Sequence, residues 1–166
     1  MKNKIQVPKP NRLTIYTDGS YRGKLRAGGY AALIVNEYGQ YLLVGDGMMN
    51  TTISRMELSA IVTGLSWVND GSIVTVVSDS EYVVNIINKW LTGWYRSGFV
   101  KANGTVVANQ DLLMNLMWQI SRMKRVKATH VYSHTNGTDP DSLANDICDH
   151  VAVSQAKQAY TACSVF

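Results

Sequence analysis

A chain of 166 residues, 46% apolar and 17% charged, can bury a core without disulfides and is too apolar to remain disordered. No apolar run approaches the ~20 residues that cross a bilayer, and the basic opening "MKNKIQVPKP" lacks the apolar centre of a signal peptide. Two cysteines make no disulfide framework, and a net charge of +4 leans toward a polyanionic partner. A reducing cytoplasm is the expected compartment. The Asn-x-Thr sites at Asn50, Asn103 and Asn136 then carry no glycosylation message.

Residues 1–11 read as a tail, 12–160 as one domain and 161–166 as a second tail. "LTIYTDGSYRG" alternates like a strand up to Asp18 and then meets an Asp-Gly pair, which alone signals a hairpin turn. "GGYAALIVN" and "QYLLVGDGM", separated by a turn around Gly39, complete an antiparallel meander. Residues 51–70 switch to helical period, with Ile53, Ala60, Ile61, Gly64 and Val68 on one side. Thr51 and Thr52 offer N-cap hydroxyls, and Asn69-Asp70-Gly71 ends the helix. "SIVTVVSD" (72–79) is a β-branched run suited to a central strand. Helical character returns from Glu81 to about Trp94, then a Gly- and Asn-containing loop, then a helix from about Gln110 to Met123. "RVKATHVYSH" (125–134) reads as the last strand, and a final helix runs from about Asn145 to Tyr160. The order βββαβααβα predicts an α/β fold: a five-stranded mixed sheet, three antiparallel strands then parallel ones, with helices on both faces.

Asp18 and Asp79 each end a strand in this layout. If those strands are parallel neighbours, both carboxylates emerge at the same C-terminal edge of the sheet, where open α/β folds bind ligands. Glu57 falls on the helix face that should pack inward, where a carboxylate is costly unless compensated. An ion pair with Arg55, or an edge position that still reaches water, would also account for it. Converging acidic groups repel one another, and a divalent cation resolves that repulsion. All-oxygen ligation suits Mg²⁺ or Mn²⁺ rather than zinc. No zinc pattern competes, because Cys148 and Cys163 are 15 residues apart and His130, His134 and His150 have no recognised spacing.

Four fragments in order, "YTDGS", "RMELSA", "SDSEYV" and the late "SH…NDICDHVA", resemble type 1 ribonuclease H, a family that cuts the RNA strand of RNA–DNA hybrids. The resemblance runs from about Arg12 to Ala156. It implies Asp18, Glu57 and Asp79 as metal-binding carboxylates. The family's fourth acidic position, near the start of the last helix and three residues before a small one, matches Asp149, with Ala152 after it and Asn145 before it. Asp146, one turn earlier, is the rival, whereas Asp139 and Asp141 read as loop carboxylates around an Asp-Pro turn. His134 corresponds to the family's mobile histidine, which assists water activation or product release. His130 reads as part of the strand and His150 as a solvent-facing helix residue. Two Mg²⁺ ions, with Mn²⁺ as a substitute, can support an in-line displacement, and the resemblance implies that it leaves 5′-phosphate and 3′-hydroxyl ends.

By the same resemblance, Thr52 and Asn109 match a pocket for a DNA-strand phosphate, and Gly19 and Ser20 face the RNA. Thr52 is equally readable as a helix cap. The segment "NKWLTGWYRSGFVKANG" resembles a basic protrusion that grips the hybrid. In it Lys89, Arg96 and Lys101 are the phosphate contacts, while Trp90, Trp94 and Phe99 can equally be packing residues. Three features depart from the family. Arg22, Lys24 and Arg26 follow the first motif, Ile53 and Ser54 stand where many members have RNA-contacting Asn or Gln residues, and the interval from His134 to Asp149 is long. The resemblance implies a hybrid-cutting monomer in the cytoplasm, with no membrane and no obligate protein partner. A DNA-cutting nuclease of related fold lacks this motif combination. A non-catalytic binding module would have lost an acidic position.

Overall fold

The computed structural model describes residues 11–132 and 138–164. The elements are β1 Arg12–Arg22, β2 Ala27–Asn36, β3 Tyr41–Met49, α1 Ile53–Ser66, β4 Ile73–Ser78, α2 Glu81–Asn85, α3 Leu91–Arg96, α4 Gln110–Ser121, β5 Arg125–His130 and α5 Pro140–Ser164. A π turn, Ile86–Trp90, joins α2 to α3 as one rod. The sheet has the order β3-β2-β1-β4-β5. β1–β2 and β2–β3 are antiparallel, and β1–β4 and β4–β5 are parallel. The mixed sheet expected from the element order is therefore present.

Strand alternation sorts the core onto the two sheet faces. Leu13, Ile15, Ile34, Val74 and Val76 pack toward α1 and α4 with Ile61, Leu65, Leu113 and Leu116. Tyr16, Leu33 and Val77 pack with Cys148 and Ala152 of α5. Each fully buried aliphatic side chain contributes roughly 1.5–3 kcal/mol, so the two layers hold the sheet rigidly between them. Two glycines let α5 lie close against the strands. A methyl group at Gly29 would run into the Ala152 carbonyl, and one at Gly47 into that of Gln155.

Several boundaries differ from the sequence-based expectation. β1 does not stop at Asp18: it stays paired with β2 from Asp18↔Ala31 to Arg22↔Ala27, so the Asp-Gly pair is not a turn. Helix α1 starts at residue 53 behind the N-cap Thr52, whose hydroxyl accepts from the Arg55 N–H at 3.3 Å. Ile53 is consequently a first-turn residue, 41% exposed, and not part of the packed stripe. The last helix begins at Pro140, before the expected Asn145. Asp139 Oδ1 accepts from Ser142 N at 3.0 Å, and proline suits the first helical position because its missing N–H would have no partner there. Asp141 thus belongs to the first turn of α5 and accepts from the Tyr16 hydroxyl at 2.7 Å. Much of the long interval before Asp149 is therefore helix, and α5 runs past Tyr160 to Ser164. β5 ends at His130; His134 lies outside the described residues.

Candidate active site

The parallel pairing of β1 with β4 ends at Thr17↔Ser78. The next residue along each chain is an aspartate, so Asp18, still paired with Ala31 of β2, and Asp79, just past β4, follow the last β1–β4 pair together. Asp18 lies on the α5 face and is 8% exposed. Its Oδ1 accepts from the Gly19 N–H at 2.8 Å, and the carboxyl of Asp149 on α5 lies close enough to act on it. Burial first, then the charges of Asp79 and Asp149, push the Asp18 carboxyl above its ordinary range, against the Gly19 N–H.

Glu57 comes from the other side of the sheet. A methyl group built on Gly19 would lie 2.7 Å from the Glu57 nitrogen, so the missing side chain lets α1 bring Glu57 down to the strand edge. The Ser80 hydroxyl donates to Glu57 Oε2 at 2.6 Å. Burial and the neighbouring Asp79 raise the Glu57 carboxyl, and the Ser80 bond opposes them. Arg55 does not compensate Glu57. Its guanidinium forks onto Asp111 at 3.0 and 2.7 Å and touches Asn109 Oδ1 at 3.3 Å. The backbone of Asp79 is held by His130, whose Nε2–H donates to the Asp79 carbonyl at 3.0 Å.

Asp79 thus stands between Glu57 and Asp18, and Asp18 reaches Asp149. Among the described residues no three such side chains are drawn tightly enough together to hold an ion, as expected of like charges. The donor chemistry nevertheless fits a divalent cation: carboxylate oxygens, partly buried, without a balancing base among the described residues. Asp146 shows no interaction with Asp18; its carbonyl accepts from His150 Nδ1 at 2.8 Å.

The proposed substrate contacts fall into two groups. Arg55 ties Thr52 and Asn109 together, the first through its backbone N–H and the second through its guanidinium. Asn109 itself has a left-handed backbone, φ 61°. On the protrusion, Trp90 is 39% exposed with its ring 5.5 Å from that of half-buried Trp94. Arg96 and Lys101 are exposed, whereas Phe99 is 3% exposed and belongs to the core. Gly19 and Ser20 continue along β1 from Asp18, half-buried.

Ser80, His130 and Asn88 were not singled out in the sequence as site residues. Asn88, in the π turn, donates to the Ala128 carbonyl at 2.8 Å and accepts from the Ala128 N–H at 2.9 Å, clamping edge strand β5. Ser80 carries a signal, since serine before a helix is a cap, but its second partner 23 residues away leaves no trace along the chain.

The RNase H family model matches residues 10–157. Ribonuclease H of Thermoanaerobacter sp. (strain X514) is 35% identical over 159 residues, 95% of each chain. Ribonuclease HI of Haemophilus influenzae is 34% identical over 149 residues, 89% of this chain and 92% of its own. The crystal structure of LC9-RNase H1, "a type 1 RNase H with the type 2 active-site motif", superposes with a TM-score of 0.75 at 22% identity, over 93% of this chain and 75% of that one. The foamy viral protease-reverse transcriptase in complex with RNA/DNA hybrid gives 0.72 at 18% identity, over 93% of this chain and 22% of that one. Both structures share the fold.

Proposed function

The chain belongs to the ribonuclease H family, and from that we propose that it is a divalent-metal-dependent endonuclease hydrolysing the RNA strand of RNA–DNA hybrids. The observation that carries this reading is the strand edge where Asp18 and Asp79 emerge together, with Glu57 and Asp149 delivered from helices on opposite faces. Asp18, Glu57, Asp79 and Asp149 would hold two Mg²⁺ ions, with Mn²⁺ able to substitute. When bound, such ions supply an activated water and charge relief at the phosphoryl oxygens. The protein's own part is placement. Burial of Asp18 excludes water from one side of the site, Ser80 holds Glu57, and His130 holds the backbone of Asp79. Gly19 and Ser20 face the RNA strand, and Thr52 with Asn109 receives a phosphate of the DNA strand. Trp90, Trp94, Arg96 and Lys101 line the protrusion along the hybrid backbone. His134 moves a proton at the scissile phosphate or helps release product. The ends left are a 5′-phosphate and a 3′-hydroxyl.

All four carboxylates come from one chain, which supports a monomer acting without an obligate protein partner. Among the described residues no helix is long and apolar enough to cross a membrane. The proposed site of action is the cytoplasm, a compartment that suits the free thiols of Cys148 and Cys163.

Cleavage of an end-labelled hybrid in Mg²⁺, with and without EDTA, tests the reading in wild type and Asp79→Asn. Duplex DNA and duplex RNA of the same sequence are the controls. Only the hybrid's RNA strand should be cut, and chelation or the substitution should abolish cleavage. A hybrid that is bound yet stays intact in both Mg²⁺ and Mn²⁺ would replace this reading with a hybrid-binding module.

A further inference from the structure

We propose that Ser80 is a positioning residue for the metal site, its hydroxyl holding one oxygen of Glu57 so that the other faces Asp79; this rests on the carboxylate-site reading above. Ser80 occupies the turn between β4 and α2 and is fixed three ways. Its N–H donates to Ser78 Oγ at 3.1 Å, its Oγ accepts from the Val83 N–H at 3.5 Å, and its hydroxyl donates to Glu57 Oε2 at 2.6 Å. A hydroxyl has one proton and two lone pairs, and a backbone N–H can only donate. Val83 therefore takes a lone pair, and the single proton is directed at Glu57. The bond is as short as a charge-assisted hydroxyl–carboxylate bond. Oε1 of Glu57 has no hydrogen bond among the described residues, so it is the oxygen left for an ion.

The arrangement couples two carboxylates through one turn. Asp79 precedes Ser80 directly, so the segment that carries Asp79 also sets the orientation of Glu57, which comes from a different helix. A glutamate has three side-chain torsions, and without an anchor its carboxylate samples several orientations. Hydrogen-bonding partners that orient a ligating carboxylate typically contribute 10–100-fold to metal affinity.

Ser80 also caps α2, and the test separates the two roles. Glycine serves nearly as well as serine at an N-cap but has no hydroxyl, while threonine keeps both cap and donor. The full chain and its Ser80→Gly, Ser80→Ala and Ser80→Thr variants are titrated calorimetrically with MgCl₂ alone, and melting in EDTA checks each fold. Ser80→Gly and Ser80→Ala should bind Mg²⁺ about tenfold more weakly, and Ser80→Thr within about twofold of wild type. In cleavage assays, raising Mg²⁺ should restore the rate of Ser80→Gly without moving its KM for the hybrid. Wild-type Mg²⁺ affinity in Ser80→Gly or Ser80→Ala overturns the proposal, as does equal weakening in Ser80→Thr. Absence of Mg²⁺ binding by the wild type overturns the metal-site reading itself.

Discussion

Asp18 concentrates the conflict between stability and function in one side chain. It is buried, it faces two other aspartates, and the Gly19 N–H donates to it. Both burial and repulsion raise its folded pKa, so the folded state binds a proton more tightly than the unfolded chain. By linkage, stability is then lost as pH rises from the ordinary carboxylate value of about 3.9 toward the raised one. Asparagine keeps the volume and the acceptor for Gly19 but cannot ionise. In EDTA, Asp18→Asn should therefore melt several degrees above wild type at pH 7.5, equivalent to roughly 1–2 kcal/mol, and should show no advantage near pH 4. Adding Mg²⁺ should stabilise the wild type alone, and the variant should not cleave hybrid. Calorimetric scans at the two pH values decide it, and a variant less stable than wild type at pH 7.5 would contradict this account.

Elements are tied together here by side chains that complete backbone bonding. β5 is an edge strand in parallel pairing with β4, so the Ala128 N–H and C=O that face away from the sheet have no strand partner. Asn88 supplies both bonds from the π turn, whose wider winding lies between α2 and α3. β5 also ends on His130, which holds the Asp79 carbonyl. Substituting Asn88→Ala strips both partners from Ala128 and should cost about 1–3 kcal/mol, read as a lower urea midpoint at unchanged slope. An unshifted midpoint would mean that water replaces the amide without loss. The helix cap at Asp139 works similarly: it sets where α5 starts and hence which of its residues arrives beside Asp18.

The whole molecule presents its chemistry on a positively charged body. Its formal charge is +4 although four of its 12 acidic residues meet at one strand edge, so cations elsewhere dominate the approach of a polyanion. Arg96 and Lys101 are exposed on the protrusion and form no ion pair among the described residues. If each neutralises one phosphate, Arg96→Ala combined with Lys101→Ala should flatten the dependence of log affinity on log salt by about 2. Binding of a catalytically silent Asp79→Asn background to hybrid at several salt concentrations measures that slope. An unchanged slope would place the hybrid elsewhere on the surface.

Residue type and periodicity already specified much of this protein. The switch from period 2 to period 3.6 and back marked every strand and helix, because alternation and amphipathic stripes are local consequences of burying one face. Asp18, Glu57 and Asp79 were legible as odd acidic residues at strand ends and on a packed helix face. The family resemblance favoured Asp149 over Asp146 as the fourth carboxylate, and the fold is what brings Asp149 near Asp18. Tertiary structure alone decided that β1 continues past Asp18, since its partner there is β2 and not a turn. It decided that Arg55 pairs with Asp111, leaving Glu57 to Ser80. It turned Ile53 outward and gave Asn88 and His130 their partners. Those outcomes depend on distances between elements remote in the chain. Such distances are set by how two helical layers close on a twisted sheet, which no local pattern of residues encodes.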